Sequence, residues 1–157
     1  MSSNENIRIE INKGDRTLKV FSGQTLVKTL KVALGFSPVG DKESEGDGKT
    51  PEGRFYIFIK NPESTFHLSL GISYPSMDDA ERGLAANLIS QDEYDSITGS
   101  IRDNRMPLQK TSLGGEIYIH GGGADKDWTD GCIALKNNEI EELFSLVPVG
   151  AIVDILP

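Results

Sequence analysis

The feature that most constrains the fold is an alternation of apolar and polar residues over the first third of the chain. Three short stretches carry this alternation, and the apolar members of each stretch share one face: Ile7, Ile9 and Ile11, then Leu18 and Val20, then Leu30, Val32 and Leu34. A period of two residues is typical of half-buried β-strands. Short connections around Gly14 and Gly23 separate the stretches, as in hairpins. The chain is therefore predicted to begin as an antiparallel meander.

The alternation returns later in the chain and predicts further strands. Residues 55–59 and 116–120 again alternate apolar and polar side chains, and the second stretch ends in His120. Residues 152–156 form a last apolar run that is typical of a closing strand. Because the sequence contains no repeat and no second core pattern, we predict a single, mainly β domain over residues 1–157.

Short helices are predicted between these strands. Ser76 with Asp79 and Ser90 with Glu93 have the spacing of a capping box, in which the side chains of two residues bind each other's backbone N–H groups. A third helix is amphipathic, and Asn138 is predicted as its N-terminal cap. Two interpretations of the first two helices stay open: they line a substrate-binding site, or they are a structural insertion.

The composition argues against several classes of partner. Lys and Arg number 16 against 24 Asp and Glu, which gives a net charge of -8. A positive surface that would attract nucleic acid or anionic membranes is therefore missing. No apolar run approaches the roughly 20 residues of a membrane-spanning helix, and the first residues do not resemble a signal peptide. We expect a soluble chain with no nucleic-acid partner and no membrane insertion, and the oligomeric state stays open.

Two further patterns were considered and do not predict a site. Residues 46–50 read Gly-Asp-Gly-Lys-Thr, but a phosphate-binding loop requires a glycine where Glu43 stands and a helix afterwards. His67, His120 and Cys132 are residue types that bind metals, yet they lack the paired spacings of zinc sites. We expect no metal and no cofactor, and His67 is interpreted as a structural residue in the middle of a strand.

The residues best suited to catalysis are His120 and Cys132, which is the one cysteine of the chain. A thiol attacks as the thiolate, so a nucleophilic cysteine needs a histidine to take its proton and backbone N–H groups to bind the developing oxyanion. Glycines at positions 121–123 and Gly131 permit tight turns beside both residues. The residue types alone leave another interpretation open, because a lone cysteine is often a small buried apolar side chain.

The order of these motifs resembles the catalytic domain of the L,D-transpeptidases, the YkuD-like family. The family signature is a His-Gly pair followed by a Ser/Thr-x-Gly-Cys turn, which corresponds here to His120-Gly121 and Thr129-Asp130-Gly131-Cys132. The likeness runs from the opening meander through Thr-Pro-Glu-Gly-Arg-Phe at residues 50–55 to the closing strand. It implies a β-sandwich-like fold with short inserted helices and a cysteine nucleophile that works without metal or cofactor.

The resemblance also implies roles for the residues of the signature. Cys132 would attack a carbonyl of a peptidoglycan stem peptide and form a thioester, with His120 as general base and then acid. Gly121 would orient the imidazole through its backbone. The oxyanion site would be shaped by the turn residues Thr129, Asp130 and Gly131. An amine of a neighbouring stem would then complete a cross-link.

Two departures from the family pattern bear on the substrate. Asp130 stands where a histidine is common, and its charge is expected to raise the pKa of a nearby thiol. Ala134 stands where an arginine is common, so an acidic substrate group would have to bind elsewhere. The candidate cations for that group are Arg54, Lys126 and Lys136. Two aromatic residues are candidate substrate contacts, Tyr74 and Trp128, and the second could instead pack beside the cysteine turn.

Three functions are compatible with these residues. The first is an L,D-transpeptidase, and the second is a murein peptide hydrolase, an L,D-carboxypeptidase or endopeptidase, that uses the same site. The third is a non-catalytic cell-wall-binding domain in which the site has decayed. The family resemblance implies a place in the cell envelope, periplasmic or extracellular, although the chain shows no export signal.

Overall fold

The apolar alternation of the first third yields three strands, but the third ends at Lys31, so Val32 and Leu34 follow it and only Leu30 of the third stretch belongs to it. The computed structural model describes residues 6–157, and its first strands are β1 (Ile7–Asn12), β2 (Thr17–Ser22) and β3 (Thr25–Lys31). They pair antiparallel in chain order, and most apolar members of the alternation are buried in the core. The predicted meander is therefore confirmed.

Five more strands extend this meander into one eight-stranded sheet. They are β4 (Gly53–Ser64), β5 (His67–Ile72), β6 (Tyr118–His120), β7 (Ile133–Ala134) and β8 (Ile152–Leu156). The order across the sheet is β3-β2-β1-β8-β4-β5-β6-β7. Two pairs are parallel, β1 with β8 and β6 with β7, and the other neighbours are antiparallel.

The sheet is curled, so that its two ends meet. The first part of β4 pairs with β8 and the remainder pairs with β5, which lets β4 carry the sheet around the bend. At the ends of the sheet, Ala33, just after β3, and Ala134 in β7 exchange two backbone hydrogen bonds of 2.9 Å. Apolar side chains from the strands and from one helix fill the inside of the curl. This mostly β architecture confirms the expected fold class.

Three short helices complete the fold: α1 (Met77–Ala85), α2 (Gln91–Arg102) and α3 (Asn137–Leu146). Both predicted capping boxes are present at the starts of α1 and α2. These two helices pack around a small core of their own, which contains Ala80, Ile89, Ile97 and Leu113. Within residues 6–157, no helix combines the length and the apolar character needed to cross a membrane.

Three local predictions were wrong. Asn138 does not cap α3, because the helix already begins at Asn137 and its N-cap is Lys136, whose side chain makes no capping hydrogen bond. The strand predicted over residues 116–120 is shorter, since Glu116 has a positive φ of 56° that an extended strand does not allow. His67 is not in the middle of a strand but begins β5, with a positive φ of 77°.

Candidate active site

The short parallel pair of β6 and β7 brings His120 and Cys132 to the same side of the sheet. Its register pairs His120 with Ala134. Because Cys132 precedes Ala134 by two residues, its side chain lies on the same face as His120. The Tyr118 N–H donates a hydrogen bond of 3.3 Å to the Cys132 Sγ. Both predicted residues line one open cleft of about 450 Å³.

The turn before Cys132 is closed by the Thr129 side chain. The Thr129 Oγ1 donates to the Cys132 carbonyl at 2.7 Å and accepts from the Gly131 N–H at 3.1 Å. Gly131 has a φ of 141°, and a Cβ at this position would lie 2.8 Å from the Lys49 carbonyl oxygen, so only glycine fits. The Gly131 N–H is therefore occupied. In the described part of the chain the Cys132 N–H has no hydrogen-bond partner.

The surroundings of His120 set its tautomer and its charge. The Nδ1 atom lies 2.5 Å from the Gly121 carbonyl oxygen. Since a carbonyl only accepts, Nδ1 carries the proton and the lone pair is on Nε2. Gly121 contacts the imidazole through its backbone, as the resemblance implies. Burial lowers the pKa of His120, and the contact with Gly121 opposes this only partly. The imidazole is consequently neutral near pH 7.

The resting thiol of Cys132 is protonated. Burial raises its pKa to about 11, the Tyr118 N–H and the charge of Lys42 lower it, and the charges of Asp130 and Glu116 raise it. The effect of Asp130 has the sign expected from the sequence. The Sγ donates to the Glu116 carbonyl at 3.4 Å. A thiol in this environment reacts only if a base removes its proton.

Phe66, at the tip of the β4–β5 hairpin, covers the catalytic histidine candidate and was missed by the sequence analysis. Its ring stacks on His120 at 4.7 Å between centroids, with an interplanar angle of 22°. Trp128 meets both rings edge-on, at 5.7 Å from His120 and 5.2 Å from Phe66. The Phe66 carbonyl also accepts from the Gly121 N–H at 3.0 Å. Trp128 therefore packs beside the cysteine turn and still lines the cleft.

The hairpin tip is tied to α3. The His67 Nε2 lies 2.6 Å from a carboxylate oxygen of Glu141, so His67 has a partner that the sequence did not reveal. A second hollow of about 360 Å³ lies beside the hairpin and shares Phe66, Glu116, His120 and Cys132 with the cleft. The hairpin tip thus lines two hollows that meet at the Cys132 and His120 side chains.

Charges around the cleft are mostly negative, with one exception. Glu45, Glu116 and Asp130 line it, and Lys42 is the one basic side chain among the described residues that do so. Nothing in the sequence predicts that Lys42 lies at the cleft, because it belongs to a polar loop without periodicity. Among residues 6–157, no group of three or more His, Cys, Asp or Glu side chains is placed to hold a metal ion.

Most of the predicted substrate contacts lie outside the cleft. Tyr74 has no exposed surface, and its hydroxyl donates to the Leu113 carbonyl at 2.7 Å, so a substrate cannot reach it in this conformation. Arg54 is paired with Asp154 at another surface. Lys126 and Lys136 are exposed and are not part of the cleft wall. Helices α1 and α2 do not line it either, which agrees with a structural insertion.

Comparisons with known proteins identify the family of this chain. A model of the L,D-transpeptidase catalytic domain, YkuD, matches residues 6–155. The chain belongs to this family. YafK of Escherichia coli (strain K12), which is provisionally named an L,D-transpeptidase, is 27% identical over 154 residues. That match covers 94% of this chain but 49% of YafK, so the chain spans about half the length of this relative.

Solved structures of other proteins resemble the fold. The helical cell shape determining protein Pgp2 from Campylobacter jejuni has a TM-score of 0.67 and 26% identity, over 96% of this chain and 48% of Pgp2. An L,D-transpeptidase from Mycobacterium smegmatis has a TM-score of 0.59 over 97% of this chain and 59% of its own. At 11% identity, the second likeness concerns the fold alone.

Proposed function

We propose that this YkuD domain is a cysteine L,D-transpeptidase that acts on peptidoglycan stem peptides. The observation that carries the proposal is the placement of Cys132 and His120 on one face of the β6–β7 pair, at an open cleft. The tautomer of His120 supports it as well, since Nε2 has the lone pair that a general base needs. Family membership supports a peptidoglycan-modifying activity of this kind.

In the proposed reaction the thiol first gives its proton to the imidazole. The S–H group turns from the Glu116 carbonyl towards the His120 Nε2, which takes the proton as Sγ attacks a peptide carbonyl carbon. The oxyanion that forms binds the free N–H of Cys132. The imidazolium then protonates the leaving amine, and a thioester on Cys132 remains.

The second half of the reaction decides the product. His120 takes a proton from an acceptor amine, the nitrogen attacks the thioester carbonyl, and the thiol leaves as a cross-link forms. If water replaces the amine, the same steps give a carboxylic acid, which is the hydrolase outcome. We place this activity in the cell envelope, where peptidoglycan lies, and the similarity to the cell shape determining protein Pgp2 supports that placement.

The test is to incubate the domain with a tetrapeptide stem, with and without an acceptor stem, and to weigh the products. We expect a cross-linked product and a thioester adduct on the protein. Cys132→Ala should abolish both while the circular dichroism spectrum is kept, because a small apolar side chain replaces a small one. Hydrolysed stem alone would assign the domain to the murein peptide hydrolases. Equal turnover by Cys132→Ala would rule out the proposed mechanism.

A labelling experiment separates both enzyme functions from a non-catalytic wall-binding domain. The alkylation rate of Cys132 by iodoacetamide is compared with that of an unstructured peptide of residues 129–135, which contains the same cysteine. Acylation of Cys132 by a carbapenem is measured in parallel. Because the resting Cys132 thiol is protonated, its alkylation by iodoacetamide is expected to be slow, and the acylation decides the question. If the carbapenem acylates Cys132 no faster than the peptide thiol, the enzyme functions fail.

A further inference from the structure

Lys42 is held against the wall of the cleft by contacts that leave its ammonium little freedom. Its side chain is 3% exposed. The Nζ donates to the Ser44 carbonyl at 3.1 Å and to Asp47 Oδ1 at 2.9 Å. An ammonium has three protons. Among the described residues, the third has no partner, although Lys42 lines the cleft that contains Cys132.

The loop around Lys42 is organised to keep the ammonium in this place. Asp47 also accepts from the N–H groups of Glu43, Ser44 and Lys49. Burial raises the pKa of Asp47, but these hydrogen bonds and the one from Lys42 outweigh it and lower the pKa to about 2, so the carboxylate stays charged. The charged carboxylate attracts the Lys42 ammonium and holds it at this position.

Two further contacts fix the backbone of Lys42 and the path of its side chain. The Arg82 guanidinium in α1 donates to the carbonyls of Glu43, at 3.0 Å, and Lys42, at 3.4 Å. Gly114, with a φ of 89°, lets the side chain pass, since a Cβ there would lie 2.9 Å from the Lys42 Cε. The inserted helix thus supports the cation of the cleft.

Among the described residues that line the cleft, Lys42 is the one Lys or Arg, so it is the group with a full positive charge that can attract an anion there. Glu45, Glu116 and Asp130 line the same cleft, and the chain has a net charge of -8. Without Lys42, the charged side chains that line the cleft would all repel a carboxylate. A partly free N–H of a buried ammonium binds a carboxylate more strongly than an exposed lysine does, because water competes less.

We propose that Lys42 is the residue that recognises a carboxylate of the substrate in the Cys132 cleft. For a stem peptide this inference rests on the proposed function, and Lys42 then takes the place that the sequence analysis assigned to Arg54, Lys126 or Lys136. It selects donors that bear a free carboxylate beside the attacked carbonyl. Lys42 is a specificity residue and takes no part in bond making.

The first test needs no peptidoglycan substrate. Cys132 is alkylated with iodoacetate, which carries a carboxylate, and with iodoacetamide, which is neutral and of similar size. Both reagents attack the same thiolate, so the ratio of the two rate constants does not depend on the thiol pKa. We expect this ratio to be at least about fivefold higher in the protein than in the peptide of residues 129–135.

Variants identify Lys42 as the source of the preference. Lys42→Met should bring the ratio down to the peptide value or below, and Lys42→Arg should keep most of it because the charge remains. Lys49→Met is the matched control, since the Lys49 Nζ binds the Val39 carbonyl in the same loop and lies outside the cleft. A wild-type ratio at or below the peptide value overturns the proposal, and this result does not require Lys42→Met to fold.

The second test uses a tetrapeptide stem with a free C-terminal carboxylate and the same stem as its C-terminal amide. We expect wild type to acylate faster from the acid, by about tenfold in kcat/KM, and Lys42→Met to lose the difference. Turnover with no preference would refute the role of Lys42 and leave the proposed function standing. A high iodoacetate ratio without any stem turnover would refute the proposed function and leave a carboxylate site beside Cys132.

Discussion

At the residue scale, burial and the charges of Asp130 and Glu116 keep the Cys132 thiol protonated. With a pKa of about 11, about one thiol in ten thousand is ionised at pH 7. In the resting site the protonated thiol therefore predominates over the thiolate. Burial also favours the neutral form of His120, because it lowers the pKa of the imidazole. A neutral imidazole can accept a proton.

His120→Ala removes the proposed general base. We expect kcat/KM for acylation to fall by roughly 10² to 10⁴, which is the usual contribution of such a base. Single-turnover mass spectrometry of the acyl-enzyme measures the rate directly. Unchanged kinetics would mean that another group takes the thiol proton, and the circular dichroism spectrum controls for folding.

Asp130→Asn removes a negative charge close to Cys132. A nearby anion destabilises the thiolate, so its removal lowers the pKa of the thiol, by up to about one pH unit. At pH 8 the alkylation by iodoacetamide should become faster, and the pH profile should shift to lower pH. Asp125→Asn, an exposed change in the same loop, should leave the profile in place. A shift to higher pH would contradict the charge argument.

At the scale of the elements, the β4–β5 hairpin connects the curled sheet to its site. It places Phe66 on the His120 ring, and the contact between His67 and Glu141 holds its tip against α3. The hairpin thus provides much of the apolar surface that separates the imidazole from water. Its role could not be expected from the sequence, because residues 66–70 read as one uninterrupted strand.

Phe66→Ala should expose the imidazole to water. Since burial is the main cause of the lowered pKa of His120, that pKa should rise towards its ordinary value of 6.5. An NMR titration of the two histidines measures the change. Phe36→Ala is the matched control, because Phe36 is an exposed aromatic residue that lines the same cleft. A lower or constant pKa of His120 in Phe66→Ala would refute this role of the hairpin.

At the scale of the whole molecule, an ion pair ties the turn between β1 and β2 to the loop that precedes the cysteine turn. Arg16, between β1 and β2, donates from Nε and Nη2 to the carboxylate of Asp127, which precedes the cysteine turn. The same carboxylate accepts from the Leu34 N–H at 2.9 Å. Burial raises the pKa of Asp127, but these hydrogen bonds outweigh it and lower the pKa overall. The first hairpin therefore helps to position Cys132.

Asp127→Asn should destabilise the fold by about 1–3 kcal/mol, because it leaves Arg16 without its charged partner. Urea unfolding, followed by tryptophan fluorescence and circular dichroism, gives the free energy. The matched control is Arg54→Gln, which breaks an ion pair whose arginine is 71% exposed and should therefore destabilise the fold less than Asp127→Asn does. Equal losses in the two variants would mean that the pair of Arg16 and Asp127 stabilises the fold no more than an exposed ion pair does.

What the sequence by itself determined is the local structure, and it also singled out Cys132 and His120 as the proposed catalytic pair. The alternation of Ile7, Ile9 and Ile11 and the capping boxes at Ser76 and Ser90 predicted strands and helices correctly. These signals are local, since they depend on the pleat of a strand or on one turn of a helix. The exceptions, such as the cap expected at Asn138, lie where a neighbouring side chain makes a tertiary contact instead.

Only the tertiary structure decided what surrounds that pair. Lys42, Phe66 and Glu116 reach the cleft from three separate parts of the chain, and Tyr74 is buried away from it. No periodicity marks such residues, because their positions depend on how the sheet closes and on contacts between residues far apart in sequence. The charge and burial that tune Cys132 and His120 arise from the same long-range packing, so they appear only once the chain has folded.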